Sequence, residues 1–347
     1  NFPPVEVWQP QYPLLYHYAP ELFSAAIHRV TGLPLHLAYD VQTALLAGIL
    51  FLMGFIFVKL FFKENGIAFA SAFLMLYAGT LHFLKGLNGI PALFEKYALE
   101  EGSGISFKFI TDAVSSEFSV PALQLIIQPA GSLAFALLIT VAYLYFRLGE
   151  GPGGGKRGLV LCGLLLALLA LASEGYFVVL LAVILLYPFA YGAVQRDWQK
   201  AKMFLFSSLL IAAVALPLAL FQGGVLKGFV SASSVPLSYT ENSKLFSINE
   251  TPWVTFASEG GLPVYHPSFL IEWALLLTML VPAFIFLFKR CAHLGIFWIL
   301  FLIISFSIPL LLIYTPHPGE IRRFFYPITL IGGLVVGLFL ASTYLSS

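Results

Sequence analysis

Charge is what this sequence has least of. Asp, Glu, Lys and Arg together make up 10% of its 347 residues, where a soluble domain carries roughly 25%. So few charged side chains cannot cover the surface of a folded chain of this length, so lipid must solvate much of it. The charges also nearly cancel, 18 basic against 17 acidic for a formal net charge of +1, which leaves no global field to recruit nucleic acid or an acidic partner. Cysteine is almost missing. Cys162 lies inside an apolar run and Cys291 in a short basic loop, so no disulfide framework is expected. No signal peptide is visible and no repeat recurs at a fixed period. The chain begins at Asn1 in a Pro-rich polar stretch, and further sequence upstream is expected.

What is abundant is apolar: 59% hydrophobic residues, with aromatics at 16% of the chain. Many of the aromatics sit near the ends of apolar runs, where amphipathic rings favour a membrane interface. A bilayer crossing needs roughly 20 mostly apolar residues. On that measure about nine spans are predicted, at 38–62, 66–84, 121–146, 158–173, 175–194, 203–222, 268–288, 296–314 and 324–345. The fourth and fifth meet at Ser173-Glu174-Gly175, which reads either as a tight external hairpin or as a break in one long apolar stretch.

Orientation follows from the basic residues. Alternate connections hold Lys59, Lys63, Arg147, Lys156, Arg157, Arg196, Lys200, Lys202, Lys289 and Arg290, against only Glu64, Glu150 and Asp197. Short loops dense in Lys and Arg stay in the cytoplasm. Residues 1–37, 85–120, 223–267 and 315–323 are then external and the C-terminus cytoplasmic. An external N-terminus without a signal sequence implies at least one further span upstream. The expected fold is an all-α integral membrane protein, residues 1–347 forming a single transmembrane domain with interfacial helices in its external loops.

Those loops carry pattern. Pro20 suits a first helical turn, Leu22, Phe23, Ala26, Ile27 and Val30 share one face, and Gly32 can end the helix. Glu21, Ser24 and His28 lie opposite, so 20–31 reads as a helix in the interface. Residues 91–101 repeat the idea, with Pro91 first, Leu93, Phe94, Tyr97 and Ala98 apolar, and Glu95, Lys96, Glu100 and Glu101 wet. Both are structural collars or walls of an outer cavity. The polar stretch 223–266 reads as a flap.

Several motifs fail on inspection. Gly149 to Arg157 has the look of a phosphate loop, but the pattern puts Glu150 where its first Gly belongs and Arg157 where Ser or Thr should follow Lys156. It reads as a flexible linker. Asn249-Glu250-Thr251 matches a glycosylation acceptor, a triplet common by chance. His17 with Glu21, and His317 with Glu320, have metal-ligand chemistry but no third partner nearby. The costly charges are more informative. Asp40, Glu174, Glu272, Arg322 and Arg323 all fall at the predicted outer surface. Singly, each reads as a snorkelling or interfacial side chain. Together, carboxylates beside paired arginines suit phosphate binding and deprotonation of an incoming hydroxyl or amine.

Asn1-Phe2-Pro3-Pro4, Trp8, Tyr12-Pro13-Leu14-Leu15-Tyr16-His17-Tyr18 and Thr31-Gly32-Leu33-Pro34 resemble the end of the first external loop of GT-C-type membrane glycosyltransferases. That superfamily holds protein mannosyltransferases, the bacterial aminoarabinose transferase, the oligosaccharyltransferase catalytic subunit and many uncharacterised bacterial membrane proteins, which this chain looks most like. Gln128-Pro129, Ser173-Glu174-Gly175, and Gly319-Glu320-Ile321-Arg322-Arg323-Phe324 followed by Tyr326-Pro327 are similar to family features in the same order.

The resemblance implies a GT-C-like fold in the plasma (inner) membrane of a prokaryote. It also implies a polyprenyl-phosphate sugar donor, an external acceptor and no nucleic acid. In such enzymes the principal catalytic acid lies soon after the first span, which places it upstream of Asn1. Asp112 and Glu117 are candidates for a second acid or a metal ligand, and a divalent metal stays open as cofactor. Arg322, Arg323, His17, Tyr16 and Glu174 are the expected substrate-binding residues. Two other readings stay open. One is a non-catalytic scaffold of the same fold within a larger membrane complex. The other is a transporter of a lipid-linked glycan, for which Pro217, Pro282 and Pro309 offer kinks.

Overall fold

The structure is a computed structural model, and it describes residues 19–78, 129–149, 155–222, 254–256, 267–314, 324 and 326–345. Its helices are α1 (Ala19–Thr31), α2 (Leu35–Phe61), α3 (Asn65–Tyr77), α4 (Pro129–Gly149), α5 (Lys156–Ala172), α6 (Glu174–Gln195), α7 (Trp198–Gln222), α8 (Pro267–Arg290), α9 (Ala292–Leu311) and α10 (Tyr326–Leu345). Strand β1 (Val254–Phe256) pairs antiparallel with β2 (Leu312–Tyr314), Thr255 standing opposite Ile313.

Turns between consecutive helices are short because local groups close them. Phe62 takes an extended conformation and ends α2. Lys59, in the last turn where the helix dipole favours a cation, reaches over to the Lys63 carbonyl and to Asn65 Oδ1. Arg196 ends α6 in the left-handed region at φ 56°. Asp197 then caps α7, its Oδ1 accepting from the Lys200 amide at 2.9 Å. The sequence left two readings at Ser173, and the packing selects the hairpin. Gly163 of α5 abuts Ile211 and Val214 of α7, while the Ile184 carbonyl of α6 accepts from Ser208 of the same helix at 2.7 Å. Both sides of Ser173 therefore return to one level of α7.

The helices pack through small residues and through rings. α10 runs antiparallel to α3. Gly333 lies against the Leu74 carbonyl and Ala78, Gly337 against Ser71, and Gly66 beside Leu345. Small residues allow such close approach of backbones where hydrophobic burial adds little driving force. The second feature is an aromatic junction. Phe57 and Phe61 (α2), Tyr145 and Phe146 (α4), Tyr187 (α6), Phe204 (α7), and Phe297 and Trp298 (α9) meet mostly edge to face. Within it the Ser208 hydroxyl donates to Ile184 and stands 3.0 Å from the Tyr145 hydroxyl, so these two buried hydroxyls are served.

The junction lies toward the end of the bundle that carries the turns at 62–64, 196–197 and 291. Contacts of Phe62 with Phe286, Leu148 with Gly158 and Tyr191 with His293 bring these turns to one end. That end, the basic end, holds the lysines and arginines that the sequence assigned to one side.

Among the described residues, five helices are long and apolar enough to cross a membrane: Leu35–Phe61, Gly131–Leu148, Glu174–Gln195, Trp198–Gln222 and Tyr326–Leu345. Asn65–Tyr77 and Ala292–Ile308 are shorter apolar helices. Large apolar side chains such as Leu45, Leu52, Phe206, Leu209 and Val281 face outward, as a lipid-solvated bundle requires. The chain is an α-helical membrane protein.

Some boundaries differ from those read in the sequence. The span expected at 66–84 stops being helical after Tyr77, where Ala78 is extended and Gly79 follows in the chain. The span expected at 296–314 begins earlier, at Ala292, and gives way to a strand at Leu312, because a β-branched and an aromatic residue there find a pairing partner in β1. Residues 254–256 of the expected flap are tied to the end of α9. The helix expected at 91–101 lies outside the described residues. The Gly149–Arg157 stretch runs from the end of α4 to the start of α5 with helix on both sides, which removes the strand a phosphate loop needs.

Candidate functional site

Of the residues that the sequence marked as costly, Asp40 and Glu174 are described, and both lie at the end opposite the basic turns. That end begins with a corner built by Thr31-Gly32-Leu33-Pro34. Gly32 adopts φ +72°, a conformation that favours glycine, and its amide bonds the His28 carbonyl at 2.9 Å. The Thr31 hydroxyl donates to Ile27 O at 2.7 Å and accepts from the Leu33 amide at 3.3 Å. His28 Nδ1–H donates to Leu33 O at 2.5 Å. Pro34 then starts α2. The corner fixes the angle between α1 and α2, so α1 is held across the ends of α2, α4 and α5.

The residue that α1 turns furthest inward is polar. The apolar residues Leu22 and Val30 point outward, 51% and 85% exposed, while Ser24 is fully buried. The reason is a polar partner on α2. The Ser24 hydroxyl donates to Gln42 Oε1, and Tyr39 is within hydrogen-bond reach of the same serine. Gln42 is itself fully buried, on the stripe that includes Ala38, Leu46 and Leu50. Among the described residues its Nε2 meets no acceptor. Whichever way the amide is turned, one of its two ends goes unserved.

Removing Ser24 leaves both ends unserved. Ser24→Ala will cost about 1–2 kcal/mol, read as a shift of the unfolding midpoint in detergent. Adding Gln42→Leu, which removes the orphaned amide, will recover most of that loss. Additive losses in the double variant would rule out the pairing.

Facing this corner is the α5–α6 hairpin. Ser173 is buried and extended, and Glu174, half-buried, opens α6. An acid in a first helical turn is favoured by the dipole. Tyr176 stacks flat on Phe135 of α4, centroids 5.5 Å apart at 8°. Phe324 comes to the same place. Its ring lies where a side chain at Gly175 would stand, 3.1 Å from the position of that Cβ. The Ser173-Glu174-Gly175 break and the last residue of the Gly319–Phe324 segment are therefore in contact. Tyr326 follows, buried at the start of α10, with its carbonyl accepting from the Thr329 hydroxyl at 2.8 Å.

Among the expected substrate-binding residues, Glu174 is the one that falls in the described part, and the residue after it, Gly175, lies against Phe324. Arg322 and Arg323 immediately precede Phe324 in sequence and lie outside the described residues, as do Tyr16, His17, Asp112 and Glu117. Asp40 is exposed on the first turns of α2. The Glu272 side chain lies outside the described part. Among the described residues no group of three or more His, Cys, Asp or Glu converges as a metal would require. Cys162, buried on α5, and Cys291, in the α8–α9 turn, are not joined in a disulfide.

The sequence reading missed Ser24 and Gln42. A signal was present: Gln42 interrupts an apolar stripe spaced at four residues, Ala38, Leu46 and Leu50. No protein-family model matches the chain, and neither does any curated protein or solved structure.

Proposed function

We propose that this chain belongs to a GT-C-type membrane glycosyltransferase with about nine spans in the residues given, and that it moves a sugar from a polyprenyl-phosphate carrier to an acceptor at the outer face. The observation that carries the proposal is the contact of Phe324 with Gly175. It sets the hairpin that carries Glu174 against Phe324, the residue that two consecutive arginines precede in the sequence, at the end of the bundle away from the basic turns.

That pairing suits a displacement at an anomeric carbon. A carboxylate takes the proton of the acceptor hydroxyl or amine, and the acceptor oxygen or nitrogen attacks in line. The bond from the anomeric carbon to the phosphate oxygen breaks. Its electron pair leaves with the lipid phosphate, whose charge Arg322 or Arg323 neutralises. The principal acid is expected in the upstream first loop, with Asp112 and Glu117 as further candidates. Tyr16 and His17 would line the cavity.

The aromatic junction favours this reading over a transporter. Rings from five helices fill the bundle toward the basic end. Helices α7 and α8 run unbroken through Pro217 and Pro282, whereas alternating access favours broken helices near the midplane.

The test is transfer of a labelled sugar from a panel of lipid-linked donors by the full-length protein in membranes. Arg322→Ala and Arg323→Ala are each expected to lower turnover by about tenfold to a hundredfold. Unchanged turnover in both would sink their assignment. A folded wild-type protein with no transfer from any donor would favour the scaffold reading.

A further inference from the structure

The basic end carries a feature that the reaction does not use. Arg196 and Lys200 flank the α6–α7 turn, and Lys289 and Arg290 the α8–α9 turn. The tendency of short cytoplasmic loops to be basic accounts for the number of these charges, but not for the two turns being held together. A ring stack holds them: His293 lies on Tyr191 with centroids 5.0 Å apart and 12° between planes. On Tyr191 the Lys200 ammonium sits 6.0 Å from the ring centre. The acid in the middle, Asp197, is exposed, and its carboxylate is engaged in capping α7, one oxygen accepting from the Lys200 amide at 2.9 Å.

Along α6 and α7, next to this end, the surface is apolar. Val194, Trp198, Met203 and Phe206 are 56%, 55%, 50% and 62% exposed. Trp198 is fixed in place because its ring covers Gly192, where a Cβ would meet Cε3 at 2.7 Å. A tryptophan between a cationic rim and an apolar wall marks the level of lipid headgroups.

We infer that the α6–α7 and α8–α9 turns together form a headgroup site for an anionic phospholipid, its phosphate held by Arg196, Lys289 and Arg290 and its acyl chains lying along Val194, Met203 and Phe206. Charge complementarity names the headgroup, and the apolar wall names a lipid rather than a free anion. Basic clusters between helices at a membrane surface bind such headgroups. The site is independent of the glycosyl-transfer reading and of which side of the membrane the basic end occupies.

The purified full-length protein is reconstituted in nanodiscs of phosphatidylcholine, with phosphatidylglycerol titrated in, and lipid retention is read by native mass spectrometry. The wild type is expected to retain phosphatidylglycerol over phosphatidylcholine by at least about tenfold. The Arg196→Asn/Lys289→Gln/Arg290→Gln variant should lose that preference, at about fivefold per charge removed. Asparagine at 196 tolerates the left-handed backbone there. A control that removes three exposed charges elsewhere on the same end, Lys63→Gln/Lys156→Gln/Arg157→Gln, should keep it. Equal loss in the control would reduce the effect to general charge and overturn the site. So would full retention in the first variant. Displacement of phosphatidylglycerol by millimolar inorganic phosphate would overturn the assignment to a lipid.

Discussion

Replacing Phe146 by alanine will destabilise the protein by about 2–4 kcal/mol, measured by denaturant unfolding in bicelles. Phe146 is fully buried, and its ring meets Phe61 at 5.3 Å, Phe297 at 5.0 Å, Tyr187 at 5.7 Å and Phe57 at 6.2 Å. Those partners come from α2, α6 and α9. No single helix can shift to close the hole without breaking its contacts with the others, so the cavity persists. The value is set below the roughly 3–5 kcal/mol of a soluble core for a reason. A ring released within a membrane goes into lipid rather than water, so the transfer part of the loss is absent and the packing part remains. Phe146→Leu should cost less than half as much. A loss under about 1 kcal/mol for the alanine variant would mean that the junction is not a packed unit.

Gly333→Leu should be the other severe change, about 3 kcal/mol or more. A Cβ at position 333 would land on the Leu74 carbonyl, and one at 337 would stand 2.8 Å from the Ser71 Cα. Both obstacles are backbone, which cannot rotate aside as a side chain does. The α3–α10 pair would have to separate along its length. Gly48 supplies the contrast. On α2 a Cβ there meets nothing within 4 Å, so Gly48→Ala should leave the midpoint unchanged or raise it by up to about 1 kcal/mol through helix propensity. If the two glycines behave alike, helix propensity and not close approach is what the positions report.

The membrane character and the grouping of basic turns could be read from the sequence because each rests on a one-dimensional signal. Long apolar runs need only counting, and Lys and Arg reveal their side by density. The corner at Thr31–Pro34 was also visible, since Gly32 and Pro34 announce a stop and a start. The inward face of α1 was not. Apolar periodicity says which residues share a face, but in a membrane the apolar face can turn to lipid as readily as to the core. What decided it was one serine finding Gln42, a pairing across 18 residues that no local pattern displays. The hairpin at Ser173 was ambiguous for a similar reason, since a bend and a break look alike until α7 supplies a common level. Cross-strand pairing of Thr255 with Ile313 was likewise hidden, because three-residue strands carry too little alternation to register. For the site, the sequence marked Glu174 as costly, and the structure adds Phe324 against the Gly175 that follows it.

The partnership of α3 with α10 also sets a timetable for biosynthesis. At 13 residues, α3 is shorter than the roughly 20 that a bilayer crossing takes, so its own hydrophobicity is a poor guarantee of stable insertion. The helix it packs against most, α10, is made long after it. Until α10 emerges, α3 rests on α2 alone through Gly54 against Ala72 and Met75, and its Ser71–Leu74 face waits for the partner that Gly333 and Gly337 supply. Chains truncated before Tyr326 should therefore be recognised by membrane quality control as incomplete, even though most of their spans are already in place.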